Sequence, residues 1–320
     1  MTILVTGGAG FIGSHTCKAL ALAGFAPVVF DNLSTGFRHN VKWGPLVVGD
    51  LGDARALSQV FAGHRIEGVL HFAASAYVGV SVAQPLEYYR NNVATTLTLL
   101  VVMREHGFPT LVFSSSCATY GTPVEVPIPV THAQKPINPY GWTKLMGERM
   151  ILDACHAHGL RAAILRYFNA AGADPDGDLR EEHEPETHLL PLAIDAALGT
   201  RGALQVFGDD YPTPDGTCIR DYIHVSDLAA LHVHALQRLR AGAPTFIRNL
   251  GTGQGHSVKE VLEAVGKATG TPVPHEIRAR REGDPAALTA SPDPATAARL
   301  RFADLSRLGA TAVAGRRPAP

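Results

Sequence analysis

The chain has 320 residues, of which 46% are hydrophobic and 18% are charged, and its formal net charge at pH 7 is −1. A chain this apolar can bury a full hydrophobic core, which excludes an intrinsically disordered protein. The near-neutral charge gives no reason to expect a nucleic-acid-binding protein, because binding to a phosphate backbone requires an excess of lysine and arginine. The length fits two ordinary domains, or one large domain with an added lobe.

Cysteine usage and the N-terminal sequence bear on location. The four cysteines, at positions 17, 117, 155 and 218, form no CxxC pair, so neither a zinc ribbon nor a disulfide framework is indicated. Scattered thiols suit a reducing compartment. The sequence shows neither a signal-peptide pattern at its start nor an apolar run of 18 residues. We therefore expect a cytoplasmic protein that does not associate with a membrane.

The first 170 residues alternate short apolar runs with helical patterns. Strands are predicted at Ile3–Thr6, Val28–Asp31, Leu46–Val48, Gly68–Phe72, Thr110–Ser114 and Ala162–Arg166. Helices are predicted at Phe11–Ala23, Ala54–Phe61, Pro85–His106 and Tyr140–His158. Continuous apolar strands are typical of a parallel sheet that helices cover on both faces. The pattern predicts an α/β fold with a doubly wound, parallel Rossmann-type sheet.

The pattern changes after residue 170. The polar stretch Gly172–His188 is interpreted as a long loop, and shorter elements follow it, namely Leu228–Arg240, Phe246–Leu250 and Val258–Gly270. The end of the chain, from Ala303 to Pro320, shows no convincing amphipathic helix. We interpret the second half as a smaller α/β lobe.

A glycine-rich loop, Thr6–Gly13, joins the first predicted strand to the first predicted helix. Gly8, Gly10 and Gly13 fit the spacing GxGxxG, and Gly7, Gly10 and Gly13 fit a second, evenly spaced pattern. Such glycines allow a tight turn and a close approach of the backbone to a pyrophosphate, which the N-terminus of the helix then binds. Asp31 ends the second strand, where a carboxylate accepts hydrogen bonds from an adenosine ribose and repels a 2′-phosphate. The loop alone also fits a plain turn, but together with Asp31 it predicts NAD rather than NADP.

Tyr140 and Lys144 are four residues apart on the same face of a predicted helix that Asn138 caps. A nearby ammonium group, or the positive ring of an oxidised nicotinamide, would lower the tyrosine pKa from its usual value of about 10. Tyr140 could then remove a hydroxyl proton while hydride leaves the adjacent carbon. The spacing alone also fits two half-exposed helix residues. The serines Ser114–Ser116 follow the fifth strand, where open α/β sheets place their sites.

These motifs together resemble the extended short-chain dehydrogenase/reductase family. The resemblance rests on Thr6–Gly13, Asp31-Asn32-Leu33, His71-Phe72-Ala73-Ala74, Ser114-Ser115-Ser116, Tyr140–Lys144 and Leu165–Asn169. Later motifs narrow it to the UDP-hexose 4-epimerases of that family: Phe207–Thr213, Asp215–Thr217 and Arg220–Val225. The resemblance implies an isomerase of carbohydrate metabolism that interconverts UDP-galactose and UDP-glucose. The reaction would pass through a transient 4-keto sugar, with NAD held tightly.

The resemblance also implies a role for individual residues. The catalytic residues would be Ser116, Tyr140 and Lys144. NAD would be bound by Gly7, Gly10, Phe11, Ile12, Gly13, Asp31, Asn32, Asp50, Leu51, Phe72, Ala73, Ala74, Asn91, Tyr140, Lys144 and Tyr167. The nucleotide sugar would be bound by Ser116, Asn169, Leu189, Phe207, Arg220, Arg281 and Asp284. No metal is assigned, and His183 and His188 are interpreted as residues of a polar loop.

At the level of whole segments, residues 1–170 would form the NAD-binding domain and residues 171–320 the nucleotide-sugar lobe, with interleaved segments allowed. The family also implies a homodimer, for which the predicted helices Pro85–His106 and Tyr140–His158 are the candidate interface.

Other functions stay open from the sequence. Related 4-epimerases act on UDP-pentoses, UDP-hexuronates or UDP-N-acetylhexosamines, and Leu288 lies where the family tunes acceptance of N-acetyl groups. A nucleotide-sugar 4,6-dehydratase needs an acidic residue after the strand-five serine, and Cys117–Gly121 contains none. A non-catalytic NAD-binding sensor would not need the tyrosine–lysine pair.

Overall fold

The computed structural model describes residues 1–107, 109–281 and 283–316. The chain divides into two compact units. Unit 1 consists of Met1–Gly121, Ala133–Tyr167 and Ala229–Arg248, and unit 2 consists of Thr122–His132, Phe168–Leu228 and the chain from Asn249 onward. The chain therefore passes between the units several times. The role of each unit stays a prediction.

The elements follow in chain order. The strands are β1 (Thr2–Thr6), β2 (Ala26–Asp31), β3 (Leu46–Val48), β4 (Ile66–His71), β5 (Thr110–Ser116), β6 (Ala162–Tyr167), β7 (Asn169–Ala171), β8 (Leu204–Phe207), β9 (Ile219–His224), β10 (Phe246–Leu250), β11 (Gly255–Ser257), β12 (His275–Arg278) and β13 (Ala287–Leu288). The α-helices are α1 (Phe11–Leu22), α2 (Ala54–His64), α3 (Val78–Ala83), α4 (Pro85–Tyr88), α5 (Thr95–Glu105), α6 (Pro139–His158), α7 (Leu189–Ala197), α8 (Val225–Arg240), α9 (Val258–Thr269), α10 (Pro294–Ala297) and α11 (Leu305–Arg316).

Unit 1 is built around a seven-stranded sheet with the order β3-β2-β1-β4-β5-β6-β10. The strands β1 to β6 pair in parallel. Ile3, Leu4 and Val5 of β1 are completely buried, as expected for a strand that helices cover on both faces. The predicted Rossmann-type α/β fold is confirmed. The strand order reverses between β1 and β4, and ligands of such sheets bind at the carboxyl ends of the strands at that point.

The predicted helix Pro85–His106 is a continuous helical run with a wide turn in its middle. A π-helical segment, Tyr89–Ala94, separates α4 from α5. Such segments occur often at functional sites, because the extra residue turns neighbouring side chains to a new direction. Here the segment contains Asn91 and Asn92.

Unit 2 contains a small sheet in which β9 pairs with β7, β11 and β13, and a separate pair formed by β8 and β12. The helices α7, α9 and α11 pack together on an apolar cluster. Our expectation of no helix after Ala303 was wrong. Leu308, Ala312 and Val313 of α11 form a buried stripe that this cluster stabilises, although the helix has few large apolar residues. Residues 317–320 lie outside the described residues.

In the described part of the chain, none of the helices is both long enough and apolar enough to cross a membrane.

Candidate active site

The glycine loop between β1 and α1 is held by contacts that exclude side chains. Gly7 has a φ of +73°, and a Cβ there would lie 2.5 Å from the amide nitrogen of Ala73 at the end of β4. A Cβ on Gly13 would lie 2.2 Å from the carbonyl oxygen of Gly7. The first turn of α1 is therefore packed directly against the end of β1. This arrangement fits a pyrophosphate at the helix N-terminus.

Asp31 lies at the end of β2 with its carboxylate fixed by the backbone. One oxygen accepts from the amide of Ala9 at 3.0 Å, and the other accepts from the amide of Leu33 at 2.8 Å. A carboxylate can accept about four hydrogen bonds, so two further acceptor positions are available for ribose hydroxyls. The predicted adenosine contact thus has the required position and capacity.

Two more predicted cofactor residues, Asn32 and Asp50, contact each other. The Asn32 amide donates to Asp50 at 2.9 Å, and the amide of Gly52 donates to the same carboxylate at 2.8 Å. These hydrogen bonds lower the pKa of Asp50, so the carboxylate is ionised at neutral pH. The side chain of the following residue, Leu51, is buried.

At the end of β4, the amides of Phe72 and Ala73 both donate to the carbonyl oxygen of Thr6, at 2.9 and 3.1 Å. These bonds join the end of β4 to the end of β1, directly beside the glycine loop. The predicted cofactor residues Phe72, Ala73 and Ala74 therefore lie at the point where the strand order reverses. Phe11 and Ile12 form the first turn of α1 at the same place.

The π-helical segment places two asparagines against the loop after β4. Asn91, a predicted cofactor residue, donates to the hydroxyl of Ser75 at 3.0 Å. The sequence analysis missed Asn92, which is buried and donates to the carbonyl of Ser75 at 2.9 Å and to the hydroxyl of Thr143 at 3.0 Å. Thr143 lies on α6 between Tyr140 and Lys144, so Asn92 connects this loop to the helix that carries the predicted catalytic pair.

Ser116 and Tyr140 lie together in unit 1, as the resemblance predicted. Ser116 ends β5, its oxygen accepts from the amide of Ala118 at 3.1 Å, and its side chain is hydrogen-bonded to the Tyr140 phenol. Both side chains are at least nine-tenths buried. A hydroxyl at this position can pass a proton to or from the phenol.

Lys144 follows Tyr140 by one turn of α6 and is also buried. Its ammonium donates to the carbonyl oxygen of Ser114 at 2.7 Å and lies 5.9 Å from the centre of the Tyr140 ring. Burial lowers the pKa of Lys144 to about 8, because a buried ammonium loses its hydration.

The acidity of Tyr140 differs from our expectation. Burial raises the pKa of its phenol above the usual value of about 10, the nearby Tyr167 raises it further, and the hydrogen bond with Ser116 opposes these effects only in part. Lys144 therefore does not by itself make Tyr140 acidic. A positive nicotinamide ring is the remaining group from which a lower pKa is expected.

A buried ion pair joins α6, which carries Tyr140 and Lys144, to β6. The sequence analysis missed this pair. Glu148 continues the four-residue spacing of Tyr140 and Lys144, and Arg166 of β6 donates to both of its oxygens, at 2.8 and 2.6 Å. Ser115 also donates to Glu148. The spacing on α6 was the available signal, but the arginine partner could not be identified from it.

In unit 2, four predicted nucleotide-sugar residues form two contacting pairs. Arg220 of β9, which is buried, forms an ion pair with Asp284. The guanidinium of Arg281 lies 4.1 Å from the ring centre of Phe207, at the end of β8. A buried and a stacked guanidinium suit a diphosphate and the adjoining nucleoside.

The remaining predicted residues of unit 2 lie near these pairs or begin an element. Asn169 pairs with Tyr222 of β9, and Tyr222 is two residues after Arg220 on the same strand. Asn169 and Arg220 therefore lie on the same face of the small sheet. Leu288 pairs with Arg220 directly. Leu189 is the first residue of α7 and packs on the apolar cluster of unit 2.

Comparison with known proteins identifies the family. Residues 3–251 match the family described as NAD dependent epimerase/dehydratase. The chain belongs to this family. A UDP-glucose 4-epimerase of Rhizobium leguminosarum bv. trifolii is 53% identical over 294 residues, which make up 92% of this chain and 90% of the relative.

Solved structures agree with this assignment. The crystal structure of UDP-glucose 4-epimerase from Brucella ovis in complex with NAD has a TM-score of 0.95 and 52% identity, and the match covers 98% of this chain and 97% of that chain. The structure of UDP-glucose 4-epimerase from Bifidobacterium longum in complex with NAD+ and UDP has a TM-score of 0.92 and 39% identity. The match covers 99% of this chain and 98% of that chain. The predicted resemblance is confirmed. The family name includes NAD. The glycine loop and Asp31 of this chain suit that cofactor.

Proposed function

We propose that this protein is an NAD-dependent isomerase that interconverts UDP-galactose and UDP-glucose by inverting the configuration at C4 of the hexose. The observation that carries the proposal is the buried group Ser116, Tyr140 and Lys144, assembled in the same unit as the glycine loop and Asp31. The high identity to several UDP-glucose 4-epimerases supports the choice of substrate.

When bound, NAD supplies the acceptor and donor of hydride. Tyr140 is proposed to take the proton of the C4 hydroxyl and later return it, and the Ser116 hydroxyl, hydrogen-bonded to Tyr140, to orient that hydroxyl. The Lys144 ammonium holds the end of β5 through the Ser114 carbonyl and contributes positive charge beside the phenol. The reacting groups are nearly excluded from water, which strengthens these electrostatic effects.

Arg220, Arg281, Phe207 and Asp284 are proposed to bind the UDP part, with Asn169 and Leu189. The hexose has to present both faces during an inversion, so the nucleotide has to contribute most of the binding energy. A buried arginine and a stacked arginine meet that requirement, since each pairs well with diphosphate oxygens.

The alternative functions differ in what they need. A 4,6-dehydratase requires an acidic residue after Ser116, and the turn Cys117–Thr119 that follows β5 contains none. A non-catalytic NAD sensor does not need a buried lysine beside a buried tyrosine. Epimerases of other UDP-sugars share all of these features, and Leu288 next to Arg220 is the residue that we expect to affect N-acetyl acceptance.

We also propose a homodimer. Leu97 and Val101 are four residues apart on α5 and are 52% and 38% exposed, and Trp142 and Met146, four apart on α6, are 41% and 39% exposed. Two neighbouring helices thus carry apolar side chains that a second copy of the chain would bury. A cytoplasmic location remains a prediction.

The decisive experiment is to incubate the purified protein with UDP-galactose, with and without added NAD, and to measure UDP-glucose. The Tyr140→Phe variant should lose about 100- to 10,000-fold in kcat while it still binds NAD and UDP. Tyr89→Phe, a partly exposed tyrosine of unit 1, is the control and should retain full activity. If added NAD yields no conversion, the proposed reaction is wrong. Conversion of another UDP-sugar alone would identify an alternative epimerase.

A further inference from the structure

The loop before α7 brings two glutamates and two histidines to one point in unit 2. Glu181, His183, Glu186 and His188 follow the spacing E-x-H-x-x-E-x-H. Each offers one ligand atom, a carboxylate oxygen or an imidazole nitrogen, and these four atoms lie within 4.8 Å of one another. None of these residues belongs to the groups proposed above to bind NAD, the sugar or the reacting hydroxyl.

The distances inside this Glu2His2 cluster are those of a metal shell. The Nδ1 atoms of His183 and His188 are 3.3 Å apart. Oε1 of Glu181 lies 3.2 Å from Nδ1 of His188 and 3.9 Å from Nδ1 of His183. The two oxygens of Glu186 lie 3.3 and 3.4 Å from the same two nitrogens. Zinc–ligand distances of about 2.0–2.1 Å at tetrahedral angles separate neighbouring ligand atoms by about 3.3 Å.

A second observation points to a cation at the same place. The Glu181 side chain is only 6% exposed, and among the described residues its Oε1 atom has no hydrogen-bond donor. A buried carboxylate oxygen without a donor is costly, because it has lost its hydration without compensation. This oxygen is directed at the two imidazoles, so a metal ion bound between them would satisfy it.

The surrounding charges are compatible with a divalent cation. One fixed positive charge close to the cluster is Arg316 of α11, whose Nη1 atom is 3.9 Å from Glu186. Its guanidinium is already paired at two points with Asp195 of α7, at 2.8 and 2.6 Å. Asp195 therefore largely neutralises the Arg316 charge, and the carboxylates of both glutamates stay available as ligands of a metal ion.

We propose that Glu181, His183, Glu186 and His188 bind one Zn²⁺ ion. Two imidazoles and two carboxylates favour zinc over the harder magnesium and calcium ions, which prefer oxygen ligands only. Four protein ligands close the shell, so the site is structural. A bound ion would connect the long loop to the start of α7, because His188 is the residue directly before that helix. The half-exposed His188 leaves a path by which the ion enters.

The test uses full-length protein without a histidine tag, treated with a chelator and dialysed. Titration with ZnCl2 against a zinc-binding dye should show one tight site per chain. The double variant His183→Ala/His188→Ala should bind zinc at least about 100-fold more weakly. The matched control, His156→Ala/His158→Ala on the exposed end of α6, should bind like the wild type. Glu181→Gln preserves the side-chain size and should also weaken binding.

Two further measurements do not depend on the folding of a variant. Wild-type protein loaded with Co²⁺ should show the visible absorption of a tetrahedral site, and Zn²⁺ should displace it. Zinc should also raise the Tm of the wild type but not of the double variant. The proposal is overturned if the wild type binds less than one-tenth of an equivalent of zinc, if the double variant binds as well as the control, or if cobalt gives no tetrahedral spectrum. These readouts do not involve turnover, so failure of the proposed reaction would leave them unaffected.

Discussion

Glu148 and Arg166 form a two-point ion pair inside unit 1, at 2.8 and 2.6 Å, with both side chains less than 5% exposed. Glu148 lies on α6, two turns after Tyr140 and one turn after Lys144. The pair therefore fixes the rotation of α6 relative to β6, and the hydrogen bond from Ser115 adds β5 to the same network.

Removal of the arginine should be strongly destabilising. Arg166→Met leaves a buried carboxylate without its partner, which should lower the free energy of unfolding by about 3–5 kcal/mol. Arg149→Met, which breaks the exposed pair with Asp153 on the same helix, should cost less than about 1 kcal/mol. Urea unfolding of both variants at pH 7 measures the difference. If both variants lose the same free energy of unfolding, the buried pair does not stabilise the protein more than the exposed pair.

The glycine loop should not accept even one methyl group at its tightest point. Gly13→Ala would bring a Cβ within 2.2 Å of the Gly7 carbonyl oxygen, so the loop has to move and should release NAD. Gly63→Ala, in α2, meets no atom within 4 Å and should stabilise the protein by about 0.5–1 kcal/mol. NAD content after gel filtration and the Tm of each variant test this. Full NAD retention in Gly13→Ala would contradict the proposed pyrophosphate site.

Lys144 should make stability depend on alkaline pH. The pKa of Lys144 is about 8 in the folded protein, compared with an ordinary value of 10.5, which applies to the unfolded chain. Between pH 8 and pH 10.5 the unfolded chain therefore holds more protons than the folded protein. Stability from this group then rises as the pH increases from 8 to 10.5, and below pH 8 the buried ammonium carries its full cost. At about 1.4 kcal/mol per pKa unit, this shift corresponds to at most about 3.5 kcal/mol.

The measurement is the unfolding free energy of cofactor-free wild type and Lys144→Met from pH 7 to pH 10.5. The difference should shift in favour of the wild type as the pH rises. The exposed Lys135→Met serves as the control, with a constant difference from the wild type. Parallel curves for Lys144→Met would mean that its ammonium is not destabilised by burial.

Arg220 should be sensitive to a change that keeps its charge. Arg220→Lys retains the cation but loses the planar group that donates to Asp284 and to the Ile219 carbonyl. We expect the Kd for UDP to rise by about 10-fold or more, corresponding to about 1.4 kcal/mol, with NAD content unchanged. Arg278→Lys on the exposed strand β12 is the control. Calorimetric titration with UDP separates the two outcomes, and unchanged affinity would remove Arg220 from the proposed site.

The proposed dimer should dissociate when a charge enters its apolar surface. Leu97→Asp would place a carboxylate on the proposed apolar interface of α5 and α6, and should give a monomer by light scattering at micromolar concentration. Leu22→Asp changes a more exposed leucine, 78% exposed at the end of α1, and should not alter the mass. A wild type that is already monomeric would overturn the dimer itself.

The sequence by itself determined which segments form the strands and helices of unit 1, the glycine turn after β1 and the spacing of Tyr140 and Lys144, because each of these depends on a local pattern. Continuous apolar runs in β1 and β2, glycines at a strand–helix turn, and a four-residue spacing on α6 are all local patterns. The predicted strands and helices accordingly lie within a few residues of the observed ones.

Only the tertiary structure decided which distant charges meet and how burial changes them. Arg220 and Asp284 are 64 residues apart in the chain, and Glu148 and Arg166 are 18 apart on different elements, so no spacing rule connects them. The raised pKa of Tyr140 depends on burial by the whole unit, which a helical spacing cannot express. The helix α11 likewise forms because α7 and α9 cover its narrow apolar stripe, and that packing energy is absent from the segment alone.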